Sequence, residues 1–338
     1  MLKRSLVLAI LIWAPLSYAP PGPSAGSYRI ESLFNTSDAV CAGTVRGVRD
    51  AASLAGAQSP YGPTVIRTFS LATARCYKGA LQPDDDVQYT TYERAAWPAN
   101  GDYGLLVIKR SSAGIFTLMS PWGNLDDASL SLLAPLESSG TSQLETDLLF
   151  NLRALSDPEA VSRQLRMLQG FDHLRPATIA IVRPYTKDTD RRVATAAFAV
   201  LARTEDPADL AALCQYAQDP KLDEIAWQYG FNLGSIRKQE ARQALECLAG
   251  TQVRALNYEA VGAVRAMRSP ASVPGLMRLL DHPDQNMQSI AYNALCEIVQ
   301  RKGYPALGGN GFLLNRAALV ASWRQWWNET GMLQYPDR

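Results

Sequence analysis

The sequence contains very little of what most catalytic and metal sites require. Two of its 338 residues are histidine, His173 and His282, so a histidine-activated nucleophile or a histidine-rich metal site has few members to draw on. No Cys-x-x-Cys pair and no His-Glu-x-x-His helix occurs, which removes the commonest zinc patterns. We therefore predict a protein that is not an enzyme and that needs no cofactor and no metal.

A strong net charge is also missing. Lysine and arginine total 33 against 32 acidic residues, a formal charge of +1, so no overall field favours nucleic acid or an anionic membrane surface. Hydrophobic residues make up 47% of the chain and charged residues 19%, as expected for a globular protein. The composition favours a protein or peptide partner, no nucleic acid, and no stable membrane insertion beyond an N-terminal signal segment.

The amino terminus has the pattern of an export signal. Lys3 and Arg4 precede a mostly apolar stretch over residues 5–14, which is far shorter than the roughly 20 residues that span a bilayer. The Ser17-Tyr18-Ala19 sequence predicts a signal peptide over 1–19, followed by a proline-rich tether over 20–29. Because a proline follows Ala19, cleavage further along remains an alternative. The pattern predicts a periplasmic or secreted bacterial protein.

Export gives the five cysteines a second role, because an oxidising compartment permits disulfides. Cys41 and Cys76 fall in adjacent predicted strands and form the first pair to test, although two buried thiols are the alternative. Cys214, Cys247 and Cys296 each lie in an apolar helix stripe. For these three we predict buried thiols that pack as small hydrophobic residues.

The first half of the chain, residues 30–128, has the composition of a β-rich domain. Short segments rich in β-branched and aromatic residues alternate with turn residues, which predicts a small antiparallel barrel, with an OB-like barrel as the first choice. The predicted strands are Val40–Val48, Thr64–Cys76, Asp86–Tyr92, Gly104–Arg110 and Gly114–Leu118.

Two segments of this half carry a family resemblance. Residues 37–45 (Ser-Asp-Ala-Val-Cys-Ala-Gly-Thr-Val) and 74–79 (Ala-Arg-Cys-Tyr-Lys-Gly) resemble the small β-barrel modules of exported bacterial proteins, which are related in shape to the netrin/TIMP-like OB fold. Inhibitors of that kind use an amino-terminal cysteine to reach a protease zinc. Cys41 is not terminal, so the resemblance implies the barrel and not that activity.

The second half is helical. Residues 129–156 are predicted as a helical connector, residues 157–330 as a solenoid of helical hairpins, and residues 331–338 as a tail. Apolar residues recur at helical spacing in blocks, whereas residues 226–235 depart from the pattern. Proline at the first helical position marks the helix starts, at Asp157-Pro158, Asp206-Pro207, Asp219-Pro220 and Ser269-Pro270.

These blocks resemble HEAT or HEAT-like repeats. The clearest copy is Val-Pro-Gly-Leu-Met-Arg-Leu-Leu over 273–280, then Asp281 and a second helix with Ala291, Ala294 and Leu295. Residues 182–194 resemble a more degenerate copy. The resemblance implies an all-α solenoid whose usual work is binding other proteins.

The end of the chain is predicted to close the solenoid. Trp323, Trp326 and Trp327 fall on one helix face and are expected to cap the last apolar surface. Residues 302–315, which contain several glycines, are predicted as a connector.

The leading hypothesis is a non-enzymatic exported scaffold that holds a peptide or protein. The second helices of the hairpins are expected to form the binding surface. Its polar positions are predicted to include Arg192, Arg242, Glu259 and Tyr292, which lie off the apolar stripes. Two alternatives remain, a HEAT-like lyase-type enzyme and a structural component of the cell envelope.

Overall fold

A computed structural model describes residues 30–59, 62–82, 85–92, 103–110, 116–122 and 139–336. A small β-sheet is followed by a helical region, in the order that the sequence predicts. The predicted signal peptide and tether lie outside the described residues, as do residues 123–138, where the predicted barrel domain ends and the connector begins. Within the described ranges, no helix is long and apolar enough to cross a membrane.

The five predicted strands are confirmed, with shifted ends, and a helix that was not predicted precedes them. Ile30 and Phe34 lie four residues apart on this helix, and both are buried. The buried side chains of residues 30–36 therefore follow the spacing of a helix and not the alternation of a strand. The elements are α1 Ile30–Thr36, β1 Ala39–Ser59, β2 Gly62–Lys78, β3 Val87–Tyr92, β4 Tyr103–Arg110 and β5 Phe116–Trp122.

Strand pairing brings the last strands back to the first. β1 pairs antiparallel with β2 and with β4, β2 with β3, and β4 with β5. β3 and β5 run parallel over two residue pairs, which gives the strand order β1-β2-β3-β5-β4. β1 reaches both neighbours because several register shifts along its pairing with β2 bend it.

Alternate residues of the strands face two different cores. Cys41 and Leu106 belong to the cluster inside the β module, whereas Val40 and Val107 pack in the same cluster as the helices. Because both faces of β1 and β4 are buried, the sequences of these strands contain nearly continuous runs of apolar residues. Gly79 (φ +61°) ends β2 where a Cβ would lie 2.3 Å from the carbonyl oxygen of Asp38, so only glycine fits there.

A buried carboxylate joins the β module to the helices. Asp147 of α2 is fully buried and accepts hydrogen bonds from the guanidinium of Arg75 at 2.7 and 2.8 Å, from the hydroxyl of Tyr77 and from the amide of Gln143. A buried charge is tolerated when its lone pairs are satisfied in this way. The α2 helix is therefore fixed to β2 by a polar network as well as by apolar contact.

The helices alternate between two layers. α3, α5, α7, α9 and α11 contact one another in succession, while α2 contacts α4, and α6 contacts α8, which contacts α10. The helices are α2 Gly140–Ala154, α3 Pro158–Leu168, α4 Pro176–Val182, α5 Arg191–Ala202, α6 Pro207–Tyr216, α7 Asp223–Ala226, α8 Arg242–Ala249, α9 Arg254–Met267, α10 Val273–Leu279, α11 Gln285–Val299, α12 Gly309–Trp326 and α13 Met332–Gln334.

Most of the predicted helix starts are capped as their residues suggest. Asp157 and Asp206 each accept a hydrogen bond from a backbone N–H in the first turn, with proline at the next position, and Asp219 caps a 3₁₀ turn in the same manner. Ser269 precedes a 3₁₀ turn without a side-chain cap. The predicted irregular stretch at 226–235 contains a short 3₁₀ turn, Leu233–Ser235, and no α-helix after Ala226.

Tryptophans close the last apolar surface, as predicted. Trp323 is fully buried and makes edge contacts with Trp326 and Tyr292. The connector predicted over 302–315 is wrong in its second part, because α12 begins at Gly309. The predicted tail continues the helical path through Gln334.

Candidate functional site

The four predicted binding residues do not converge on one site. Arg192 lies at the start of α5, Arg242 at the start of α8, Glu259 on α9 and Tyr292 on α11. Of the four, Arg242 lines a surface cleft. That cleft, between α8 and α10, is the candidate functional site.

The α8–α10 cleft is an open groove of about 600 Å³ between the first helices of two neighbouring hairpins. Its walls come from α8 and α10, and its ends from the residue stretch after α6 and the turn after α10. The sequence analysis predicted a binding surface on the second helices of the hairpins. The cleft lies instead between first helices. The polar side chains that line it are Gln218, Arg242, Gln243, Glu246, Arg278, Asp281 and His282.

The floor of the cleft is a buried ion pair. Glu246 is 7% exposed and pairs with Arg242, 12% exposed, at 2.7 Å, and Arg242 also donates to the carbonyl of Ala271 at 2.8 Å. Arg278 approaches the other carboxylate oxygen of Glu246 at 4.0 Å. Removing one partner of such a pair leaves a charge without compensation, so these side chains hold a defined geometry.

Gly275 lets α10 approach this ion pair. A Cβ at Gly275 would lie 2.6 Å from Oε2 of Glu246, which is well inside van der Waals contact. The absence of a side chain on α10 therefore makes room for the carboxylate of α8. The shape of the cleft depends on this one small residue.

The charges that line the cleft balance. Arg242 and Arg278 face Glu246, and Asp281 at the rim is paired with Arg324 of α12, which lies outside the lining. Two guanidinium groups of the lining thus accompany two carboxylates. Arg278 is 62% exposed and presents its guanidinium to solvent, in a geometry suited to a carboxylate.

A disulfide that was not predicted supports one wall. Cys247 lines the cleft and is bonded to Cys214 of α6, so the prediction of buried thiols was wrong for this pair. Cys214 is buried, as predicted, whereas Cys247 is exposed on α8, and the contact between α6 and α8 brings the two together. Cys41 and Cys76, opposite each other on β1 and β2, also form a disulfide, while Cys296 remains a buried free thiol.

Glu259 anchors a loop. Its carboxylate accepts a hydrogen bond from the backbone N–H of Leu233 at 2.7 Å, at the start of the 3₁₀ turn after α7. Burial raises the pKa of Glu259, and the hydrogen bonds from the backbone of Leu233 and Gly234 only partly oppose that rise. The residue holds the loop in place and does not line the α8–α10 cleft.

Arg192 and Tyr292 have different surroundings. Arg192 is exposed and donates to Asp190 at 2.8 Å, and this hydrogen bond raises the pKa of Arg192. Tyr292 is fully buried beside Phe312 and donates to the carbonyl of Pro305 at 3.1 Å. The prediction of Tyr292 as a surface binding residue was therefore wrong, because α12 folds back and covers it.

The histidine that lies nearest the cleft has a structural role. Nδ1 of His282 accepts the backbone N–H of Asp284 at 3.0 Å, so the proton is on Nε2, which donates to the carbonyl of Thr251 at 3.2 Å. Both ring nitrogens of His282 thus make hydrogen bonds, and these join the turn after α8 to the turn after α10. Over the described residues, no group of three or more His, Cys, Asp or Glu side chains is placed to hold a metal ion.

The sequence analysis missed Arg278, Gln218 and Asp281 at the cleft. Each falls at an ordinary polar position of a helix or turn, and their proximity arises from how α6, α8 and α10 stack. The one local signal was Gly275 within an otherwise regular helix pattern, since glycine there costs helix stability and often marks close packing.

Comparison with known proteins does not identify a relative. No protein-family model matches the chain, and no curated protein or solved structure resembles it at a significant level.

Proposed function

We propose that this protein is a non-enzymatic, exported scaffold whose α8–α10 cleft binds an acidic, extended segment of a protein partner. In this proposal the helical region is a HEAT-like solenoid, and the β module is an OB-like barrel. The observation that carries the proposal is the cleft itself, a preformed groove in which Glu246 holds Arg242 and Arg278 is exposed.

The fold assignment is supported by the order of contacts. Helices that alternate between two layers, with α3, α5, α7, α9 and α11 in successive contact in one of them, are what stacked hairpins produce. The strand order β1-β2-β3-β5-β4, with β3 and β5 parallel, is compatible with a small Greek-key barrel of the OB kind.

Export is supported by the two disulfides. Cys41–Cys76 and Cys214–Cys247 lie in different parts of the molecule, and stable disulfides are rare in reducing compartments. They agree with the signal pattern of residues 1–19 and with a periplasmic or secreted location.

Binding of an acidic segment follows from the groove's chemistry. A groove of this volume accepts a few residues of extended chain and is too open to enclose a small molecule. The exposed guanidinium of Arg278 suits a carboxylate. Enzymatic chemistry is not part of the proposal.

Affinity capture from periplasmic extract with the full-length protein tests the proposal, followed by titration of synthetic peptides from any captured protein. The Arg278→Glu variant is expected to weaken binding of an acidic peptide by about tenfold or more, because attraction becomes repulsion. Lys221→Glu is the matched control, since Lys221 is exposed and does not line the cleft. Failure to capture a specific partner, or equal loss in both variants, would contradict the proposal.

A further inference from the structure

The two disulfides of the molecule differ in how far solvent reaches them. In the bridge of the β module, Cys41 is fully buried and Cys76 is half-buried. In the bridge of the helical region, Cys247 is exposed and lines the α8–α10 cleft. Because the cleft is open to solvent, a small molecule that enters it meets Cys247.

The two cysteines of the helical bridge are not equally accessible. Cys214 is 1% exposed, packs within the apolar core of the helical region and does not line the cleft. The rate of thiol–disulfide exchange depends on which sulfur an attacking thiolate reaches. An attack from the cleft therefore falls on Sγ of Cys247, and Cys214 becomes the leaving group.

The sulfur that would leave has a hydrogen-bond donor beside it. Nε2 of Gln218 lies 3.6 Å from Sγ of Cys214 and also donates to the carbonyl of Cys214 at 3.0 Å. A donor beside a sulfur stabilises the charged thiolate, and a thiol of lower pKa leaves faster. The negative charge that appears on the buried Cys214 therefore meets a donor when the bond breaks.

The surroundings of Cys247 favour a thiol that carries a carboxylate. The neighbouring carboxylate of Glu246 is held by Arg242 at 2.7 Å. Arg278 lines the same cleft and is 62% exposed, and a guanidinium binds a carboxylate through parallel hydrogen bonds. A Cβ at Gly250, one turn after Cys247, would meet only backbone oxygens of its own helix within 4 Å. Space beside Cys247 is therefore open on that side.

We propose that Cys247 is a thiol–disulfide exchange site for a small thiol that carries a carboxylate. The thiolate of that molecule attacks Sγ of Cys247, so that a new S–S bond forms while the bond between Cys247 and Cys214 breaks. The electron pair of the broken bond leaves on Sγ of Cys214, which takes a proton from water. The sulfur of the small thiol is oxidised and Cys214 is reduced. The small molecule stays bonded to Cys247, with its carboxylate on Arg278.

Reduced glutathione, added to the native full-length protein, tests the proposal. No protein partner is present, so the outcome is independent of the proposed scaffold function. Samples are quenched with acid, alkylated and mapped by mass spectrometry. Cys214–Cys247 is expected to open at least about tenfold faster than Cys41–Cys76, because access controls the exchange. No opening of Cys214–Cys247, or an equal or faster opening of Cys41–Cys76, would overturn the proposal.

The charge of the thiol tests the role of Arg278. The rates with glutathione, an anion, and with cysteamine, a cation, are each divided by the rate of the same thiol with bis(2-hydroxyethyl) disulfide. The resulting value for glutathione should be about two- to fivefold higher, and Arg278→Gln should remove the difference. Lys221→Gln, at an exposed position outside the cleft, should retain it. Equal values in the wild type, or a difference that persists in Arg278→Gln, would overturn the recognition of a carboxylate.

Two matched variants locate the sulfur that is attacked. In Cys214→Ser, oxidised glutathione should convert Cys247 to a mixed disulfide. In Cys247→Ser, the buried Cys214 should stay unmodified under the same conditions. Circular dichroism checks that both variants are folded, and the wild-type comparison of the two bridges decides if either is not. Modification of Cys214 as fast as that of Cys247 contradicts the proposal.

Discussion

In the β module, neighbouring residues of one strand belong to two different cores, whereas the buried apolar residues of the helical region belong to a single continuous core. Val40 and Cys41 are adjacent in β1, yet one packs with the helices and the other inside the sheet. The β module therefore depends on contacts far apart in sequence, while the hairpins depend mostly on the next helix. A substitution at the junction between the β module and the helices should therefore destabilise the whole protein, whereas one within a hairpin should destabilise mainly that hairpin.

The junction carries the largest expected effect. Asp147→Ala removes the acceptor that satisfies Arg75 and Tyr77 and should lower the free energy of unfolding by about 3 kcal/mol or more, as for other broken buried pairs. Chemical denaturation followed by circular dichroism measures it. Glu159→Ala is the matched control, because its i,i+4 pair with Arg163 is exposed and contributes about 0.3–0.5 kcal/mol. If Asp147→Ala lowers the free energy of unfolding by less than about 1 kcal/mol, the comparison is wrong, because loss of one partner of a buried ion pair normally costs several kcal/mol.

Loss of the helical disulfide should come next. Replacing both Cys214 and Cys247 by serine releases a closed loop with a sequence separation of 33 and should cost about 2–4 kcal/mol. The double variant is compared with Cys296→Ala, which leaves both disulfides intact. Thiol titration of the unreduced, denatured wild-type protein should find one thiol, and a count of three or five would show that the disulfides are not formed.

The pH dependence of the free energy of unfolding should distinguish the buried Glu259, which anchors the loop after α7, from the surface ion pairs. Burial raises the pKa of Glu259 above its ordinary value of 4.5, so its contribution to stability is fully present below that value and is lost as pH rises through the pKa in the folded state. Glu259→Gln imitates the neutral form. The stability of the wild type relative to this variant should therefore fall as pH rises above the ordinary value of 4.5, as measured by denaturation at each pH. A constant difference, or one that rises with pH, would contradict the burial argument.

The smallest effect is expected at the helix ends of the hairpins. Arg268, at the end of α9, and Gln300, at the end of α11, both adopt positive φ without being glycine. Arg268→Gly relieves this strain and should raise the free energy of unfolding by about 0.5–1 kcal/mol, measurable as a higher melting temperature. Arg268→Ala retains the strain and should give no such gain. If alanine stabilises as much as glycine, the conformational explanation is wrong.

Features that depend on neighbouring residues alone could be predicted from the sequence. An aspartate followed by proline sets a cap and a compatible φ within one turn, so the helix starts at Asp157 and Asp206 were predicted correctly. The five strands were located by composition and turn residues in the same way. Cys41 and Cys76 were paired because adjacent strands place them opposite each other.

Features that depend on stacking could not be predicted. Cys214 and Cys247 meet because α6 lies against α8, and no local pattern contains that information. Tyr292 was assigned to the surface because it lies off the apolar stripes, but α12 returns to bury it beside Phe312 and Trp323. The cleft at Arg278 arises at the same level, between hairpins.

The most direct test of the scaffold account is site-specific photo-crosslinking in living cells. A photoreactive residue at position 243, in the α8–α10 cleft, is compared with one at Gln82, an exposed position beyond β2. The account predicts a discrete crosslinked protein at position 243 that disappears when Arg278→Glu is added, and no such product at position 82. No crosslinked product at 243, or the same products at both positions, would contradict it.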